Sequence, residues 1–333
     1  MTGYIARRIL WLIPVVLIVA GLTFILMHNA PGGPWDRDPS SRQVDAVAQA
    51  RLNSFYGLDK PLFYQFTSYL IGGRNQVTKE WTCGLICGNM GPSYRVRGMT
   101  VQQYLFTPPV GKSFLYSKAG YSLRLGVLAL LLAVGVGIPV GVISALKQNT
   151  WVDYISLFIA TVGISVPNFV IAIFLIIIFA STLKLVPVIP VSWDDFSVWI
   201  MPALVLGFGT LARSARLTRA SMLEVMRMDY IRTARAKGLA ERVVIYRHMI
   251  KNAMIPVITF LGPALAFLVT GSFIIETIFG FPGMGRAYVT AISNRDYSMI
   301  MGTTIIFAVI VAVMNLVVDI VYVFLDPRIK LTD

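Results

Sequence analysis

The sequence predicts an all-α integral membrane protein with about six transmembrane helices and a large extracytoplasmic loop after the first. Of 333 residues, 56% are hydrophobic and only 14% are charged, and the mean hydropathy is +0.71, a composition that belongs to membrane proteins. Apolar runs recur that are long enough to cross a hydrocarbon core, which takes about 20 helical residues. The cations gather in a short segment between two of these runs.

The first run, 9–27, follows Arg7 and Arg8. It is too long for the core of a cleavable secretion signal and lacks an A-x-A site, so it reads as a retained anchor closing an N-terminal region 1–28. A loop, 29–120, follows, and 121–333 forms the core. The remaining runs are 121–146, 152–183, 198–217, 254–279 and 300–325. The third exceeds one crossing and contains Pro167, which can tilt, kink or split it; it is taken as one helix. Glycines in GVGIPVG, from Gly135 to Gly141, let helices approach closely in lipid.

Orientation follows from the basic residues. The segment at about 218–253 and its approach carry Arg213, Arg216, Arg219, Arg227, Arg232, Arg235, Lys237, Arg242, Arg247 and Lys251 against Glu224, Asp229 and Glu241. That segment stays in the cytoplasm, and both termini with it. Lys147 after the second run and Arg328 and Lys330 after the sixth agree. A formal net charge of +13 sits beside membrane spans without interleaved exposed aromatics. It therefore points to the lipid bilayer and an acidic partner surface, and away from nucleic acid.

Catalytic signatures are missing. His28 and His248 are the only histidines and lie far apart, which excludes H-E-x-x-H metalloprotease and Ser-His-Asp centres. Gly111, Lys112 and Ser113 end like a phosphate-binding loop, but Phe106 stands where its first glycine belongs. Cys83 and Cys87, the only cysteines, can form a local disulfide or remain two free thiols; without a nearby histidine they supply half a zinc shell, so no metal is expected. Glu276, Asp319 and Arg124 lie toward helix ends, where packing or gating support is expected of them and ion coupling is not.

Within the basic segment, Asp229 is expected to cap a short helix running through Lys237, and Gly238 to end it in a left-handed conformation. Tyr230, Ala234 and Lys237 share one face, and Ile231, Arg235 and Gly238 another. Ala234 and Ala236 permit close approach, while Arg232, Arg235 and Lys237 can pair with carboxylates. A second helix is expected from about 240 to 252.

This segment resembles the EAA loop of ABC importer permeases, whose pattern is Glu-Ala-Ala, three residues, Gly, nine residues, Ile, one residue, Leu-Pro. Anchored on Gly238, it keeps Ala234 and places Ile250 at the Leu position. It departs at Arg232, Thr233, His248 and Lys251. DYIRTARAKGL and RHMIKNAMIPV closely resemble the oligopeptide, dipeptide and nickel branch of these binding-protein-dependent inner membrane components. HNAPGGP, FYGLDKPLFYQFTSYL, ETIFGFPGMGR, SNRDYSMIMG and LDPRIK extend the resemblance over nearly the whole chain; 72–117 is less familiar.

The resemblance implies a type I ABC importer permease core in a bacterial or archaeal inner membrane. It implies a second homologous permease, two ATP-binding subunits and an extracytoplasmic substrate-binding protein as partners. The chain itself would be no enzyme and bind no cofactor, with ATP and Mg held by the partners. Asp229, Tyr230, Ile231, Arg232, Thr233, Ala234, Arg235, Ala236, Lys237 and Gly238 would form the coupling helix seated in an ATPase subunit. Peptides are the expected cargo, with nickel complexes or oligosaccharides as alternatives. An ATP-independent secondary carrier is the remote alternative, and segment 72–117 would be a docking surface or a self-packed cap.

Overall fold

The computed structural model describes residues 2–35, 46–74, 80–187 and 189–325. Arg328 and Lys330, counted above as inside charges, lie outside the described residues, as does all but the first residue of LDPRIK. Helix α1 spans Thr2–Asn29, and α2 (Ala46–Tyr56) and α3 (Leu62–Leu70) follow within the long loop. Strands β1 (Gly72–Arg74) and β2 (Trp81–Cys83) pair antiparallel with Gly73 opposite Thr82. Helix α4 (Val101–Phe106) starts with a capping box, Thr100 and Gln103 satisfying each other's backbone amides.

Helix α5 (Lys118–Leu132) continues through a wide π turn, Ala133–Gly137, into α6 (Ile138–Leu146). Pro139 has no N–H to donate and crowds the carbonyl four residues back, that of Gly135, which lies inside the wide turn. Gly141 has no room for a side chain: a Cβ would meet the Ala215 carbonyl at 2.5 Å. The close helix packing expected of this glycine run is what the structure has.

The third run is not one helix. Helix α7 (Trp151–Ser165) ends before Pro167, and α8 (Asn168–Leu175) with its π extension, Ile176–Thr182, leaves at a bend of 110°. Pro167 excludes the α conformation at Val166, which sits at φ −87° and ψ 126°. Among the described residues, five helices are therefore long and apolar enough to cross a membrane, or six if the bent pair is one span.

Helix α9 (Ser197–Val225) runs well past the predicted end at 217. After α10 (Asp229–Ala236), the short α11 (Glu241–Val243) passes through a π turn, Val244–Ile250, directly into α12 (Lys251–Val269). The expected separate helix near 240–252 is thus the first part of a long one, because Ala240 is the last extended residue before it. Gly271, at φ +80°, then breaks the chain before α13 (Phe273–Ile278), and α14 (Met284–Ser293) and α15 (Tyr297–Leu325) follow.

Two compact units result. One comprises Met1–Ile5, Tyr121–Arg286 and Ile310–Asp333; the other comprises Ala6–Gly120 and Ala287–Val309. In the first, Trp199 and Phe281 meet edge to face at 4.9 Å over Leu125, Ala129 and Ala203. In the second, Phe24, Met27, Tyr297 and Met301 form the core. Asp296, 2% exposed, organises the second unit: its carboxylate accepts from the Ser93 hydroxyl and from the backbone amides of Tyr94, Arg95 and Met299 at 2.5–3.2 Å.

Candidate functional site

The basic elbow follows from where α9 stops. Residues 226–228 turn the chain, and Met228, extended at ψ 145°, stands at the start of α10. Asp229 does not cap the helix as expected: it is the first helical residue, its side chain makes no capping bond, and it lies 3.7 Å from Arg232 in an exposed pair. The other end is as predicted. Gly238 adopts φ +75°, its amide donates to the Arg235 carbonyl at 2.9 Å, and Leu239 donates to Ala234 at 3.4 Å, which closes the orphan carbonyls of the last turn.

Burial decides which face of α10 is free. Ile231 is fully buried and Ala234 is 6% exposed, both packed with Met222, Val225, Val244, Met249 and Ala253. Ala234, expected on the docking face, is therefore turned inward, and the outward side carries Tyr230, Arg232, Thr233, Arg235, Ala236 and Lys237. The Arg235 guanidinium grips Glu241 through both carboxylate oxygens, the shorter contact 2.6 Å, and Asn252 donates to the Tyr230 hydroxyl at 3.0 Å. The Glu241 carboxylate raises the pKa of Arg235 above its already high value. Both partners are about half exposed, so this pair holds geometry and contributes little energy.

A second constellation binds α9 to the helices before it, and sequence reasoning missed it. Asp153, 1% exposed in the first turn of α7, accepts from the Arg219 Nε at 2.6 Å and Nη2 at 2.8 Å. It also accepts from the Ser144 hydroxyl at 2.5 Å and the Asn149 amide at 3.0 Å. Arg219 was counted only among inside charges. The available signal was Asp153 itself, a lone carboxylate inside an apolar run, where an ionisable group must be paired.

The other sites are placed as follows. Cys83 and Cys87 are joined by a disulfide. Glu276 is fully buried, accepting from the Ser122 hydroxyl at 2.8 Å and the Arg286 amide at 3.0 Å. Arg124 lies over the rings of Tyr121 and Trp199 at 4.6 and 4.5 Å, and Asp319 is half-buried in α15. No group of three or more metal-ligating side chains occurs among the described residues.

Residues 137–331 match the family of binding-protein-dependent transport system inner membrane components. The chain belongs to that family. This inner membrane component is 39% identical to the dipeptide transport system permease protein DppB of Bacillus subtilis (strain 168), over 99% of both chains. It is 38% identical to the oligopeptide transport system permease protein OppB of Salmonella typhimurium (strain LT2), over 99% of this chain and 100% of that one. Among solved structures, a chain of the methionine ABC transporter MetNI in an inward-facing conformation superposes with a TM-score of 0.51 at 17% identity, covering 63% of this chain and 94% of that one. The fold is that of a type I ABC importer permease, and the component is a multi-pass membrane transport subunit.

Proposed function

We propose that this component is the membrane-spanning permease subunit of an ATP-driven peptide importer and that α10 is its coupling helix. The single observation that carries this is the two-sided elbow. A helix transmits force only when anchored, and Ile231 and Ala234 anchor α10 inside its own core while a cationic, polar face stays open. Arg232, Arg235 and Lys237 on that face suit a carboxylate-lined groove.

In this reading two ATP-binding subunits hold ATP and Mg, a second homologous permease completes the pathway, and an extracytoplasmic binding protein delivers cargo. The elbow and both termini face the cytoplasm. Peptide is favoured because the relatives matched over full length are named for dipeptide and oligopeptide transport. Reconstituted with its partner subunits in proteoliposomes, the wild type is expected to accumulate labelled di- and oligopeptides on ATP addition. Uptake of those peptides without nucleotide, or none with the full complex and binding protein present, overturns the proposal.

A further inference from the structure

The second unit holds a cavity of about 440 Å³ that transport coupling does not use. Its walls are aromatic: Phe55, Tyr56, Tyr69 and Tyr94 contribute, with Phe24 and Tyr297 behind. A volume in the range of small-molecule sites, mostly apolar walls and a few convergent polar groups are the features of a ligand pocket.

The charge of the lining is one-sided. Lys60 and Arg74 are part of it, and among the described residues no aspartate or glutamate is. Asp296, the buried carboxylate of the same unit, is already committed to four hydrogen bonds. The Lys60 ammonium sits 4.2 Å above the Tyr64 ring, and its hydrogen bond, with that of Ser68, holds the Tyr64 phenol below its usual pKa. The Tyr69 hydroxyl is buried with no partner among the described residues.

His28 adds to this. Its Nδ1 lies 2.9 Å from the Phe24 carbonyl and its Nε2 3.2 Å from the Gln65 Oε1. The Gln65 amide nitrogen already donates to the carbonyls of Leu58 and Lys60, which fixes its oxygen toward the histidine. Both ring nitrogens therefore face acceptors, and the imidazole adds a polar edge to the wall.

We propose that this cavity binds a small organic acid with an aromatic body, its carboxylate held by Lys60 and its ring stacked among the tyrosines and phenylalanines. The shared chemistry covers a free aromatic acid and the C-terminal residue of a short peptide. The proposal does not rest on peptide import, and loss of transport leaves it standing.

The test is calorimetry on the full chain in lipid nanodiscs with three probes: N-acetylphenylalanine, its uncharged amide, and the tripeptide Ala-Ala-Phe. The acid is expected to bind about tenfold more tightly than the amide, since a charge-assisted contact is lost. Lys60→Met is expected to erase that difference while still binding the amide, and Phe55→Ala to weaken acid and amide alike. Binding of the tripeptide assigns the site to a peptide end; binding of the acid alone assigns it to free acids. Equal affinity for acid and amide in the wild type, no measurable binding of either, or a Lys60→Met variant that still prefers the acid overturns the proposal.

Discussion

Ala234 and Ala236 stand two positions apart on one short helix, yet only one has room around it. Ala234 is packed among Met222, Met249 and Ala253, so Ala234→Trp forces a large ring into a filled core and is expected to cost about 1–3 kcal/mol. Ala236 faces outward. Ala236→Trp is expected to leave the melting temperature within a degree or two of wild type while abolishing ATP-dependent uptake, because it obstructs only the proposed docking face. Paired thermal melts and transport assays check both, and unimpaired uptake by Ala236→Trp counts heavily against the coupling assignment. Gly238 differs again: nothing lies within 4 Å of a Cβ there, so Gly238→Ala meets only the strain of φ +75°, about 1–2 kcal/mol. Asp153→Leu strands the Arg219 guanidinium, on a side chain only 19% exposed, without its carboxylate. A loss of about 3 kcal/mol is expected in chemical denaturation, the usual scale for breaking a buried pair from one side.

Among elements, α9 connects the most parts. Its middle packs on α6 so closely that Gly137 and Gly141 touch its backbone, its Arg219 holds the start of α7, and its end sets the angle of α10. In the proposed coupling, a displacement of α10 reaches α6 and α7 through the turn 226–228 and α9. The bent pair α7 and α8 depends on Pro167, since the extended conformation of Val166 is imposed by the ring that follows it. In the second unit, Asp296 ties residues 93–95 to the start of α15. Asp296→Ala leaves the Ser93 hydroxyl and the Tyr94 amide without their acceptor, while the Arg95 amide keeps the Ser93 oxygen, so hydrogen exchange at Tyr94 is expected to speed up at least tenfold, about 1.4 kcal/mol of lost protection. Unchanged protection there would falsify the anchoring role.

For the whole molecule, the placement of the elbow on one side of the membrane is the decisive expectation. A Lys237→Cys variant, with Cys83 and Cys87 held in their disulfide, is expected to react with an impermeant maleimide in inverted vesicles and to stay unlabelled in right-side-out ones. Labelling from the opposite side removes the elbow from reach of any ATP-consuming partner.

Composition and run length alone determined that the chain is a multi-pass helical membrane protein, because the need for about 20 apolar residues per crossing is a local requirement written along the sequence. The stop at Gly238 was legible for the same reason: a left-handed residue is a local choice. Pro167 marks where the third run could bend, yet that run reads as one helix in the sequence; the break and its 110° angle came from the structure. Only the tertiary structure decided that Asp153 meets Arg219, 66 positions away, that Ala234 turns inward, and that His28, Lys60 and Tyr94 wall one cavity. Those outcomes depend on which helices lie side by side, and a pattern read along one chain carries no record of its neighbours in space.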